Sequence, residues 1–172
     1  MKVAVVVVAG LLWLSVAGAS AQAITDAQIA HIVVTANQVD IDAGKLAASM
    51  ASSPEVKKFG QLMVTDHTGV NTQASELAAK LKVTPADNPT SQSLKAGGDK
   101  NVAALKGLTG AAFDKAYIDN EVAYHQAVLD AVDKTLIPSA SNADLKALLV
   151  KVRPAFVAHL EHAKHLQASL KK

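Results

Sequence analysis

The chain contains no cysteine. That excludes disulfide staples, thiolate nucleophiles, thiolate metal sites and haem held through Cys-x-x-Cys-His, so stability has to come from packing. Aromatic residues make up only 3% of the chain, which argues against an aromatic-lined ligand pocket or a stacking platform for bases and sugars. Charge is sparse and balanced. A formal net charge of +2 at pH 7, with no clustered basic face, excludes a nucleic-acid binder. There is no Ser-His-Asp pattern, no Gly-rich phosphate loop and no His-Glu-x-x-His segment, which leaves no catalytic residue to assign and points away from hydrolase or nucleotide chemistry. A bilayer-spanning run is missing too. The apolar stretch from Val3 to Val16, broken by Gly10 and Ser15, falls short of the roughly 20 residues a membrane span requires.

That short run has another meaning. Lys2 precedes it, and small residues follow it as far as Ala21-Gln22-Ala23, an A-x-A cleavage pattern. Residues 1–23 therefore read as a cleaved export signal that delivers residues 24–172 to the periplasm, with no transmembrane segment left after cleavage. A chain of that length supports one domain with its own core.

Helical periodicity runs through the rest. Thr25 and Gln28 form a capping-box pattern with Asp26 in the first turn, and Ile29, Val33, Ala36, Ala43, Ala47 and Met50 recur at helical spacing. Ser53 and Pro54 end this helix and start a second, whose apolar face comprises Phe59, Met63, Val70, Ala74, Leu77 and Leu81. So short a turn predicts an antiparallel hairpin. Residues 83–109, rich in Pro, Gly, Ser, Thr and Asn, read as a long connection with a short helix around Lys100–Lys106, able to carry the chain along the bundle. A third helix runs from Thr109 or Gly110 to Leu136 and ends at Pro138. A fourth begins at the box-like Ser141-x-x-Asp144 and is kinked or split by Pro154. The spacing predicts an all-α protein, most simply an antiparallel four-helix bundle with a long connection between helices two and three.

Five polar residues lie on these apolar faces. Asp40 lies 13 residues before Ser53 and His67 lies 14 after it, which sets both about 20 Å from the turn. Around the turn at Ser139, Glu121 and His125 precede by 18 and 14 residues and His159 follows by 20. Each helix thus brings a carboxylate or imidazole to mid-height on its core side. Such residues on facing helices are how bundle cores bind iron, manganese or zinc, and Asp40, His67, Glu121, His125 and His159 are the candidate ligands. The same residues could equally form a hydrogen-bonded layer that sets register and does no chemistry, with Asp40–His67 and Glu121–His125 or Glu121–His159 as its pairs. The di-iron spacing Glu-x-x-His is absent, since Glu121 and His125 are four apart. Asp66, beside His67, is a secondary candidate, as are His162 and His165, which with Glu161 and Lys164 read more simply as a solvated face.

Several segments resemble a known family. Asn37, Asp40, Gly44, Leu46 and Ala47, then Val56, Lys57 and Phe59, then Met63, Val64, Asp66 and His67 follow its spacing; so do Gly110, Phe113, Asp114, Tyr117 and Ile118, with His125 and His159-Leu160 beyond. The family is catalogued as domain of unknown function 4142. The resemblance implies a ferritin-like bundle exported by a bacterium and often labelled a predicted outer membrane protein; it implies no established reaction. Asp40 stands where the family pattern leads one to expect Glu. Two readings follow: a periplasmic ferritin-like bundle binding a transition metal, or a non-catalytic envelope or stress-related protein with a structural polar layer. A third, an interaction module, would use residues 83–109 or the His-rich end to hold an envelope partner or a second copy of the chain.

Overall fold

The computed structural model describes residues 23–171, and among them it is all-helical, with no strand. The export-signal reading concerns residues 1–23, of which 1–22 lie outside the described residues. Helix α1 (Asp26–Met50) opens with the expected capping box of Thr25 and Gln28. Helix α2 (Pro54–Leu81) has Ser53 as N-cap and Pro54 at its start, and closes on Lys82 in the left-handed conformation at φ 54°. The two lie antiparallel and unusually close. A Cβ on Gly44 would stand 2.8 Å from the Gly60 carbonyl oxygen, so the backbones touch where both side chains are absent.

The stretch expected as a long connection with a short helix around Lys100–Lys106 is helical there and for eleven residues before it. Helix α3 (Pro89–Lys106) is 18 residues long, starting at a capping box of Asn88 and Ser91 with Pro89 in its first turn. It escaped the periodicity because only Ser91, Gly98 and Leu105 of it are buried; a helix with two small residues among its three contacts shows no apolar stripe. It runs parallel to α1. Asn88 donates to the Gln28 carbonyl at one end, Gly98 sits against Val39, and Leu105 packs in the cluster that contains Ala43 and Ala47. The chain thereby returns along the length of the molecule as a helix.

Helix α4 (Gly110–Ala131) continues into a π-helical turn (Val132–Leu136) and the short α5 (Ile137–Ser139), so Pro138 does not end it. The Ile137 N–H reaches back five residues to Val132 O, and Pro138, which has no N–H, follows this wider turn. Helix α6 (Ala143–Ser169) is capped by Asn142, not Ser141: the Asn142 carboxamide accepts from the N–H groups of Asp144 and Leu145, whereas Ser141 and Asn142 donate theirs to Asp26. Of the kink or split expected at Pro154, the split is absent, since one helix runs through it. The carbonyl freed four residues earlier belongs to Val150, which is 53% exposed, so water can satisfy it.

Contacts along the helices fix their directions. Asp66–His159, Gln73–Lys151 and Lys80–Asp144 set α2 antiparallel to α6, and Asp133–Arg153 and Asp119–Gln167 do the same for α4 and α6. Tyr124 donates to the Ala36 carbonyl, while the Asp114 carboxylate accepts from the Ser52 and Ser53 N–H groups and the Ser52 hydroxyl, setting α4 antiparallel to α1. The core divides into two apolar clusters. One contains Ile32, Val33, Val70, Leu129, Leu149 and Phe156; the other contains Ala47, Phe59, Met63, Phe113, Tyr117 and Ala163. On α1, α2 and α4 the boundary between them falls at Asp40, His67 and Glu121–His125.

Candidate metal centre

All five candidate ligands meet in the boundary layer between those clusters. Asp40, Glu121 and His125 are each 1% exposed, and His67 and His159 4%. The rings of His67, His125 and His159 form a triangle with centroids 5.2 to 5.7 Å apart, and Phe156 stacks flat on His67 at 5.5 Å. One ring nitrogen from each of the three histidines lies within 4.8 Å of the others, and donor atoms of Asp40, Glu121 and His125 converge equally closely.

Each imidazole is oriented through one nitrogen and left free at the other. The Asn37 carboxamide donates to Asn71 at 3.0 Å, so its oxygen faces His67 Nδ1 at 2.7 Å and takes that N–H. His125 Nδ1 donates to the Glu121 backbone carbonyl at 3.1 Å. His159 Nε2 donates to Asp66 at 2.9 Å. These hydrogens are assigned from the network of partners. What remains is His67 Nε2, His125 Nε2 and His159 Nδ1, all buried and all without a hydrogen-bond partner, together with both oxygens of Asp40. His67 Nε2 lies 2.9 Å, and His125 Nε2 3.3 Å, from the same Asp40 oxygen. Neither contact is aligned as a hydrogen bond.

The electrostatics separate the two carboxyls. Burial would raise the pKa of Asp40, but the imidazoles of His67 and His125 beside its carboxylate outweigh it and hold Asp40 below its ordinary value. Glu121 is pushed well above its own by burial and by the Asp40 charge, and keeps its proton. Burial presses His125 down to about 4, and presses His159 down against the opposing pull of Asp66. At neutral pH Asp40 is thus the charged member of the pair, with neutral His125 and His159 beside it.

Of the secondary candidates, Asp66 enters as the partner of His159, with its side chain 38% exposed. His162 and His165 are exposed and stay outside the layer; His162 meets the ring of Phe59 edge-on. His31 stands apart, beside Asp87. Asn37 and Asn71 belong to the site although neither is a metal ligand. Asn37 precedes Asp40 by three residues, on the same helical face, and that spacing is the signal by which it can be found.

No curated protein and no solved structure matches the chain. The residues just described lie within a longer stretch, 14–166, that matches the family model described as a domain of unknown function (DUF4142), and the chain belongs to that family.

Proposed function

We propose that the protein binds one first-row transition-metal ion in its core, through His67 Nε2, His125 Nε2, His159 Nδ1 and Asp40. The observation that carries this is the set of three buried imidazole lone pairs beside an unpartnered buried carboxylate. Burying such groups unsatisfied costs several kcal/mol unless they are paired or coordinated. The spacing suits an ion. Donors roughly 2.1 Å from a common metal lie roughly 3.0 to 3.4 Å apart at right or tetrahedral angles, and the Asp40 oxygen is 2.9 and 3.3 Å from its two histidine neighbours. Imidazole and carboxylate donors without sulfur suit zinc, iron or manganese. The hydrogen bonds that the three histidines donate to Asn37, Asp66 and the Glu121 carbonyl are the orienting contacts that metal-bound histidines ordinarily have.

The reading extends to the fold and the location. The antiparallel pairings of α1, α2, α4 and α6, with α3 returning the chain between the two halves, support a ferritin-like four-helix arrangement in a single domain of residues 24–172. The Lys2, apolar-run and Ala21-Gln22-Ala23 pattern supports export to the periplasm. Among the described residues no helix is long and apolar enough to cross a membrane. The upward shift of Glu121, buried beside Asp40, favours a second reading, a structural polar layer without metal.

One experiment separates the two. Tag-free protein is reconstituted with iron, manganese or zinc and its metal content measured beside His67→Ala. About one ion per chain, lost in the variant, is the expected result. Sub-stoichiometric metal that does not change on substitution, with a lower melting temperature for the variant, would establish the structural layer instead.

A further inference from the structure

A cavity of about 260 Å³ lies between α1, α3, α4 and α6, and its inner wall is the polar layer itself. Leu94, Val128, Ala131, Val132, Leu136 and Phe156 give it an almost wholly apolar lining. The π-helical turn contributes Val132, Thr135 and Leu136, so the irregular part of α4's continuation is also part of the cavity wall. Thr90 and Thr135 are exposed, which places the mouth between α3 and the end of α4.

Few polar atoms inside are free. The Tyr124 hydroxyl is committed to the Ala36 carbonyl, and Asn37 is committed on both sides to Asn71 and His67. The unpartnered ones belong to Asp40, His67 and His125. Without an ion, these atoms offer a ligand lone pairs and negative charge. With one they present a cation at the end of an apolar pocket, and the simplest apolar-tailed ligand for a cation is a carboxylate. Size sets the tail. An apolar cavity of roughly 150 Å³ takes benzene, so this one has room for on the order of ten carbon atoms.

We propose that the cavity binds a single-chain monocarboxylic acid of medium length, its carboxylate at the Asp40–His67–His125 end and its alkyl chain along α4 toward α3. The inference rests on the metal reading, since the ion supplies the positive charge that holds the head group.

The test is calorimetric titration of zinc-loaded protein with acetate, hexanoate, octanoate, decanoate and tetradecanoate, with zinc content measured separately. Affinity should rise roughly fourfold for each added methylene and level off near ten carbons. Ala131→Leu and, independently, Val128→Phe narrow the cavity away from the proposed ligands. Each should keep its zinc and weaken decanoate by roughly tenfold or more. Full zinc content with no dependence on chain length, or with decanoate binding unchanged in both variants, overturns the cavity inference alone. Failure to retain zinc overturns the metal reading and with it the carboxylate anchor.

Discussion

His159 Nε2 donates to Asp66 at 2.9 Å, and that bond leaves His159 Nδ1 as a buried nitrogen without a partner. Asp66 itself is 38% exposed, so removing it opens no cavity and strands no buried charge. Asp66→Ala should therefore cost the metal-free protein only the His159 hydrogen bond, about 1–3 kcal/mol, while weakening metal binding roughly 10- to 100-fold. Competition against a chelator of known affinity reads the second effect directly. Equal affinity in variant and parent would remove Asp66 from the site.

Gly44 and Gly60 allow α1 and α2 to approach closely enough to bring Asp40 to His67. A Cβ on Gly60 would lie 2.7 Å from both the Ala47 Cβ and the Gly44 carbonyl oxygen, and the backbone has no flexible end to yield. Gly60→Ala should cost about 1–3 kcal/mol through overpacking, lowering the melting temperature by several degrees. Gly69, on the same helix, has nothing within 4 Å of its Cβ position. Gly69→Ala should instead raise stability by about 0.5–1 kcal/mol through helix propensity. Thermal melts of the pair check both signs, and a Gly60→Ala protein as stable as Gly69→Ala would contradict the close packing.

Which parts could be read in advance follows from the same physics. Four helices announced themselves because each carries a continuous apolar face and a start signal: Thr25, Ser53, Thr109 and the Ser141–Asp144 region. Helix α3 showed only its end, around Lys100–Lys106, because the contacts of its first part include Gly98 and Ser91, residues that look like loop, and only Asn88-Pro89 hints at its beginning. Heights along the helices located Asp40, His67, Glu121, His125 and His159 because rise per residue is constant. The same reasoning could not assign which nitrogen of each histidine is free. That depends on Asn37, Asp66 and a carbonyl, and so on ring orientations that periodicity does not encode. The cavity was invisible for a related reason, since it is a gap between helices.

Protonation makes the stability of the metal-free protein depend on pH through two opposed contributions. His125, at about 4 in the folded state against 6.5 unfolded, binds its proton only in the unfolded chain within that window, so stability falls as pH drops from 6.5. His159 acts in the same direction. Glu121 opposes them: its folded pKa is raised above 4.5, so the folded state holds the extra proton and loses stability as pH rises through its window. Above 6.5 His125 is neutral in both states and contributes no further change. Melting temperatures of chelator-treated parent and His125→Ala protein between about pH 4 and 8 isolate its part: the loss on going down from 6.5 should be smaller in the variant. An acid-side loss of the same size in both would contradict the depressed His125.

The two buried carboxyls should respond oppositely to the same chemical change. Glu121 is pushed toward its protonated form, so Glu121→Gln keeps a neutral side chain of similar shape beside Asp40. The metal-free protein should stay within about 1 kcal/mol of the parent at pH 6.5, and the loss of stability with rising pH that Glu121 causes should disappear because the titrating group is gone. Asp40→Asn instead removes the negative charge next to His67 Nε2 and His125 Nε2. Its metal affinity should drop by more than the roughly 10- to 100-fold expected for an orienting partner such as Asp66. Melting curves and chelator competition on both variants decide the matter. If Glu121→Gln destabilises as much as Glu121→Ala, or if Asp40→Asn binds metal as the parent does, the assignment of one acid and one carboxylate is reversed or wrong.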